Sequence, residues 1–260
     1  KRVKSGGIMP YCSHDLDDFP GLKRHLRHML VGALPGHFVR MVRESKKKGE
    51  KTTSRITRFR YRIQEAFRRH IVVKLVRGAL ILPLIAEEFH PNILHVRRDP
   101  RAVVASYKRQ DWTDWMKESS LQDLLLSPPD GRSDVFRRWE QEIQNIDEMG
   151  YAARIAGYWA LTEWYVDRHG NESNIASVRY ERLCTEGAGH LNDALSAMRS
   201  DIHVEENFLR RESHTSNRSP GENARSRIWG WKKEMPLDDI RKVETAVDMV
   251  GMTDSLVEES

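Results

Sequence analysis

Cysteine is scarce in this chain of 260 residues, which contains two, Cys12 and Cys184. Two cysteines at this separation make neither a disulfide framework nor a metal-binding cluster, and they leave open either one bridge or two free thiols. The sequence also lacks an apolar run of about 18 residues, a signal-peptide pattern and internal repeats. These features argue against a disulfide scaffold, a zinc ribbon and a solenoid of repeats, and we expect no bound metal.

Charge of one sign is not in large excess either. The chain has 43 Lys and Arg against 38 Asp and Glu, for a formal net charge of +5. A modest positive excess suits a polyanionic substrate, nucleic acid or an anionic cofactor, although it is also common in proteins that bind none of these. The segment 40–70 predicts either a solvated, partly helical face or a surface that contacts a polyanion. Its basic residues are Arg40, Arg43, Lys46, Lys47, Lys48, Lys51, Arg55, Arg58, Arg60, Arg62, Arg68 and Arg69.

Strand-like and helix-like patterns alternate along the rest of the chain. β-branched and apolar runs predict strands over 71–76, 92–97 and 174–180. Apolar residues at helical spacing predict a set of helices, which lie over 21–34, 79–89, 135–149, 151–169, 189–202 and 238–252, with a further helix beginning at Pro100. This alternation is typical of an α/β architecture with a parallel sheet.

The stretch ILHVRRDPRAVVASYKRQDW, residues 93–112, carries the clearest chemistry. In parallel α/β sheets, ligands bind outside the carboxyl ends of the strands. Asp99 is a good N-cap and Pro100 suits the first helical position, so a helix N-terminus that favours an anion is expected here. Arg98 lies beside this end and Ser106 lies on the second turn. A guanidinium and a hydroxyl can together hold a phosphate; the alternative is a surface arginine and a small packing serine.

The segment RDPRAVVAS resembles the 3′-phosphate-binding motif of the sulfotransferase family, in its carbohydrate branch. These enzymes transfer a sulfonate group from 3′-phosphoadenosine 5′-phosphosulfate (PAPS) to an acceptor hydroxyl. The resemblance implies that Arg98 and Ser106 hold the 3′-phosphate of the nucleotide. It also implies that VVKLVRGAL corresponds to the strand-end segment upstream, with Lys74 at the family's lysine position.

Two further segments resemble this family in the expected order. VRYERL, 178–183, is similar to the family's Tyr-Glu-Asp-Leu stretch, which implies that Tyr180 lies at the adenine. HTSN, 214–217, and RSRIWGWKKEM, 225–235, resemble the C-terminal signature, in which a threonine approaches the adenine and a basic loop closes on the 3′-phosphate. The implied positions are Thr215, Arg225, Ser226 and Arg227, ahead of Trp231 and Lys232.

The resemblance implies a P-loop-NTPase-like three-layer sandwich with a central parallel sheet, formed by a single domain over residues 1–260. The family's 5′-phosphosulfate loop follows its first strand, whereas KSGG, residues 4–7, follows no apolar run. We therefore expect the chain to begin downstream of that loop and to lack the first strand. In-line attack of a hydroxyl on sulfur is implied, with Lys74 as part of the catalytic cation set. Val76 stands where the cytosolic branch has a histidine base, and His14 is a weak alternative base.

The RDPRAV form of the motif resembles enzymes that act on GlcNAc, Gal or GalNAc hydroxyls in the Golgi lumen. It implies a glycan or glycosaminoglycan acceptor, no nucleic acid partner, and membrane attachment through an anchor absent from this chain. Sequons at Asn171 and Asn217 suit the secretory pathway, while a bacterial cytoplasmic relative is the alternative. Three rival functions stay open: a basic module that binds heparin or nucleic acid, a P-loop kinase, and a degenerate sulfotransferase that binds without catalysing.

Overall fold

The structure is a computed structural model that describes residues 23–24, 26–27, 72–75, 78–111, 114–170, 174–206 and 224–257. The chain divides into two compact units, residues 14–76 and residues 1–13 with 77–260. The basic segment 40–70 and the KSGG segment lie outside the described residues.

In the smaller unit, the described residues 23, 24, 26 and 27 are helical, in agreement with the helix predicted over 21–34. The strand predicted over 71–76 is wrong where it is described, because residues 72–75 have no regular secondary structure. Val72 is 86% exposed. A β-branched run forms a strand when it packs on a sheet face and pairs with a neighbour, and Val72 has no such cover.

The larger unit is α/β and mostly helical, and we number its elements in chain order. They are a 3₁₀ turn Ala79–Ile81, α1 Leu82–Phe89, β1 Ile93–Arg97, α2 Pro100–Arg109, α3 Asp114–Lys117, α4 Leu121–Leu125, α5 Arg132–Phe136, a 3₁₀ turn Arg137–Trp139, α6 Glu140–Glu148, α7 Tyr151–His169, β2 Ile175–Arg179, α8 Tyr180–Glu186, α9 Ala188–Ala197, α10 Ala224–Trp229, α11 Trp231–Glu234, α12 Leu237–Met249 and a 3₁₀ turn Thr253–Ser255. Among the described helices, none is both long and apolar enough to cross a bilayer.

The sheet in the described part of the chain has two parallel strands, β1 and β2. Ile93 is opposite Ile175 and Arg97 is opposite Arg179. Parallel neighbours need a long crossover connection, which helices α2 to α7 supply. Because the strands run in the same direction, their carboxyl ends lie side by side, and the residues that follow each strand meet there. The predicted strands 92–97 and 174–180 and their parallel pairing are therefore confirmed.

Helix α2 begins as the sequence predicts. The Asp99 carboxylate accepts a hydrogen bond from the backbone N–H of Arg101 at 2.8 Å, and Pro100 occupies the first helical position. Lys108 and Arg109 lie in the last turn, where the helix dipole favours cations. The N-cap is buried, with Asp99 only 1% exposed, so this helix end is fixed from inside the protein.

Helix α7 forms the centre of the core and carries a long row of small residues. It spans the same 19 residues that the sequence predicts. A Cβ added at Gly157 would lie 2.9 Å from Ile146 and from Leu121, so glycine lets α4 and α6 approach closely. Helices α2 and α12 also pack against α7. This packing places α2 against the central helix of the core.

Candidate functional site

The candidate site lies in a small crevice at the carboxyl ends of β1 and β2, the edge at which parallel α/β sheets bind ligands. It brings together residues that follow β1, residues that follow β2, a tryptophan of α7 and the 3₁₀ turn near residue 255. Its lining consists of Arg97, Arg98, Asp99, Trp159, Arg179, Glu181 and Ser255.

Arg98 and Tyr180, two of the predicted site residues, are in direct contact. The guanidinium carbon of Arg98 lies 4.7 Å from the centroid of the Tyr180 ring, which is a cation–π distance. Each residue comes just after its strand, so the pairing of β1 with β2 brings them together. Among the described residues, the buried Nε of Arg98 has no hydrogen-bond partner. The Nε–H of Arg98 is therefore a donor that no described residue uses.

Arg227 lies within electrostatic reach of the same tyrosine. Helix α10, which carries Arg227, packs against α8, which begins at Tyr180. Burial raises the pKa of the Tyr180 phenol, while the charges of Arg98 and Arg227 act in the opposite direction. The Cys184 thiol is free and lies beside Tyr180, and burial raises its pKa too. A cationic, partly buried environment thus surrounds one aromatic ring.

A buried carboxylate, that of Glu181, lies next to this cluster. Its Oε1 accepts a hydrogen bond from the backbone N–H of Asp99 at 2.9 Å, so it joins the segment after β1 to the start of α8. Burial raises the pKa of the Glu181 carboxyl, the backbone hydrogen bonds lower it, Asp99 adds to the rise, and the charge of Arg98 opposes it. The sequence analysis did not single out Glu181, although it immediately follows Tyr180 at the strand end.

The Asp99 carboxylate is held by a buried network around Arg101. The Nη2 of Arg101 lies 2.7 Å from Asp99 Oδ2, and its Nη1 lies 2.9 Å from Glu244. Val257 joins through both backbone groups, since its N–H donates to Asp99 and its carbonyl accepts from Arg101. The Arg101 guanidinium also lies 4.3 Å from the centroid of Trp231. Arg101 and Trp231 are thus engaged with each other inside the protein.

The two remaining arginines of the crevice are also engaged by the protein. Arg97 pairs with Glu163 at 2.9 Å and with Asp167 at 3.0 Å. Arg179 donates to the carbonyl oxygen of Asp254 at 2.6 Å. Arg98 is therefore the cation of this crevice best placed to receive an anion.

The structure does not bring all the predicted residues to this point. Ser106 lies in α2, six residues after Pro100, and is half-buried. Lys74 is exposed and belongs to the smaller unit. Ser226 lies in α10 and is half-buried; Arg225 lies in the same helix, without a described side chain. Thr215 lies outside the described residues.

The predicted basic loop before Trp231 is wrong in its secondary structure. Residues 224–229 form helix α10 rather than a loop. The run Ala-Arg-Ser-Arg-Ile-Trp contains no glycine or proline, and Ile228 is buried, so the segment gains from packing an apolar face. Arg227 therefore lies on a helix rather than in a loop.

Comparisons of the chain with family models, with curated proteins and with solved structures found no match. Within the described ranges, no group of three or more His, Cys, Asp or Glu side chains could hold a metal ion.

Proposed function

We propose that the chain is a PAPS-dependent sulfotransferase that acts on a carbohydrate hydroxyl. The observation that carries the proposal is the contact between Arg98 and Tyr180 at the carboxyl ends of two parallel strands. An arginine with an unused buried N–H suits a phosphate oxygen, because a charge-assisted hydrogen bond is among the strongest in proteins. An aromatic ring beside it suits a nucleotide base.

The donor set fits an anionic nucleotide in two further respects. Arg227 adds a second positive charge near Tyr180, and its neighbour Ser226 lies in the same helix. PAPS carries several negative charges, which need such cations around them. In the proposed site, Arg98 and Ser106 hold the 3′-phosphate, Tyr180 contacts the adenine, and Arg227 faces the phosphate from α10.

The rest of the proposal follows from the resemblance of the sequence motifs. It comprises a P-loop-NTPase-like three-layer sandwich, Lys74 in the catalytic cation set, a glycan or glycosaminoglycan acceptor and residence in the Golgi lumen. The parallel pairing of β1 with β2 and the helices that connect them support the α/β part of this fold. When bound, PAPS supplies the sulfonate group that the acceptor hydroxyl attacks.

The proposal is tested by calorimetric titration with 3′-phosphoadenosine 5′-phosphate and, separately, with adenosine 5′-phosphate. These two nucleotides differ only in the 3′-phosphate, so their affinity ratio reports the group that Arg98 is proposed to hold. We expect the wild type to prefer the first nucleotide, and Arg98→Ala to lose about 10- to 100-fold of that preference. Arg98→Lys is expected to recover part of it, because an ammonium keeps the charge but not the planar donor pattern.

Arg241→Ala is the matched control, because Arg241 is exposed on α12 and its loss removes the same charge. Circular dichroism of each variant must show the wild-type spectrum before its binding is compared. Equal affinity of the wild type for the two nucleotides would reject the proposed site. Radiolabelled sulfonate transfer from PAPS to desulfated heparin and to GlcNAc-terminated oligosaccharides then separates an enzyme from a protein that only binds.

A further inference from the structure

We infer that Glu181 sets the nucleotide affinity of this site by taking up a proton when the 3′-phosphate binds to Arg98. The inference rests on the proposed function, and it adds a residue and a pH dependence that the motif resemblance does not supply. It starts from the position of a buried carboxylate in a crevice proposed to receive an anion.

The Glu181 carboxylate is fixed in that position by its hydrogen bonds. It is 6% exposed, and it accepts the N–H of Asp99, the residue immediately after Arg98. Because this bond joins the two strand ends, Glu181 cannot turn away from Arg98 without breaking the corner that holds Arg98 against Tyr180. Any phosphate that reaches Arg98 therefore meets a nearby carboxylate.

Charged and titratable groups around Glu181 lie at the two strand ends, on its own helix α8, and on the helices α9 and α10 that pack against α8. They are Arg97 at the end of β1, Arg98 and Asp99 after it, Arg179 at the end of β2, Tyr180 and Cys184 on α8, His190 on α9, and Arg227 on α10. Asp99 is neutralised by Arg101, and Arg97 by Glu163 and Asp167. Arg98 is the cation whose charge favours the ionised form of Glu181.

A phosphate bound to Arg98 would make the neutral form of Glu181 more favourable. It shares the charge of Arg98 and brings further negative charge, so the ionised form of Glu181 becomes less favourable. Burial already raises the pKa of Glu181 in the free protein. At a given pH, Glu181 is therefore protonated to a greater extent than an exposed glutamate. Linkage then requires that binding is accompanied by proton uptake and that affinity falls as the pH rises through this titration.

The test is titration calorimetry with 3′-phosphoadenosine 5′-phosphate in buffers of different ionisation enthalpy. It is done at a series of pH values from about 4, near the ordinary pKa of a glutamate, to about 9, and the ionisation of the nucleotide's own phosphates is the same for both proteins. We expect the wild type to take up more protons per nucleotide than Glu181→Gln. The glutamine keeps an oxygen for the Asp99 N–H and has no charge, so we expect this variant to bind the nucleotide about tenfold more tightly, because the repulsion between carboxylate and phosphate is gone.

Glu186→Gln is the matched control, because Glu186 lies on the same helix but pairs with Arg182 in solvent. We expect it to leave proton uptake and affinity unchanged. If Glu181 only maintains the structure, Glu181→Gln should instead bind the nucleotide more weakly than the wild type.

Equal proton uptake by the wild type and Glu181→Gln overturns the inference and leaves the proposed function standing. Absence of nucleotide binding by the folded wild type rejects the proposed function and the inference with it. If Glu181→Gln does not fold, the wild type decides alone. An affinity that falls with rising pH, after correction for the known ionisation of the nucleotide's phosphates, supports the inference, and a corrected affinity that falls nowhere between about pH 4 and 9 overturns it.

Discussion

The arginines at the end of β1 and just after it have two contrasting environments. On one side, Arg97 and Arg101 are each held by two carboxylates, and Arg101 also binds the carbonyl of Val257. On the other side, Arg98 lies over Tyr180, and its buried Nε has no partner in the described part of the chain. Three arginines within five positions therefore differ in their surroundings: two are paired with carboxylates, and the third is the one proposed to bind a ligand.

The difference comes from partners that are distant in sequence. Asp167, Glu244 and Val257 reach this corner from α7, α12 and the segment after α12. No local pattern in RRDPR distinguishes an arginine that will meet such partners from one that will not. Ion pairing with distant carboxylates, rather than position in the motif, therefore distinguishes Arg97 and Arg101 from Arg98.

Arg101→Ala should have the largest effect on stability. It leaves the buried Asp99 carboxylate without its cation, and breaking a buried pair in this way costs about 3–5 kcal/mol in the free energy of unfolding. Urea denaturation followed by fluorescence measures the loss, with Arg241→Ala as the exposed control. A loss of stability as small as that of the control would show that Arg101 is no more structural than an exposed arginine.

Arg97→Ala should have an intermediate effect. Glu163 keeps His95 at 3.3 Å as a second neighbour, so its carboxylate is not left alone. We expect a loss of about 1–3 kcal/mol, the cost of leaving a buried polar group without its partner. A double-mutant cycle with Glu163→Gln should give a coupling energy of about 0.5–3 kcal/mol. Additive effects would show that the Arg97–Glu163 pair contributes little.

Arg98→Ala should have the smallest effect on stability of the three. It removes a cation–π contact, which contributes about 0.5–1 kcal/mol at an exposed position, and the Glu181 carboxylate, whose ionised form Arg98 favours, keeps its hydrogen bond from the Asp99 N–H. The same denaturation measurement applies. A loss equal to that of Arg101→Ala would assign Arg98 to the structural side and would weaken the case for a ligand there.

Elements whose signals are local could be predicted from the sequence. Asp99 and Pro100 mark the start of α2, and Gly150 and Gly170 flank the 19 residues of α7. The segment 71–76 has an equally strong strand pattern, yet residues 72–75 form no strand. Strand formation depends on a partner and a cover, and neither is encoded in the run itself.

The candidate site could likewise be predicted only in part. Arg98 and Tyr180 were predicted from motifs, and the strand pairing brings them into contact. Glu181 was missed because its role depends on a backbone N–H 82 residues away. The segment of Arg227 was expected to be a loop, because the motif suggests closure over a ligand and carries no information about the packing of Ile228.

The hydrogen bonds of Val257 with Asp99 and Arg101 also limit when this corner can form during protein synthesis. The contact between Arg101 and Val257 spans 156 residues. At about 5–20 residues per second, a ribosome needs roughly 8–30 seconds to make that length of chain. During that interval the nascent chain carries Asp99 and Arg101 without their last partner, so the strand-end corner is completed only after Val257 has left the exit tunnel.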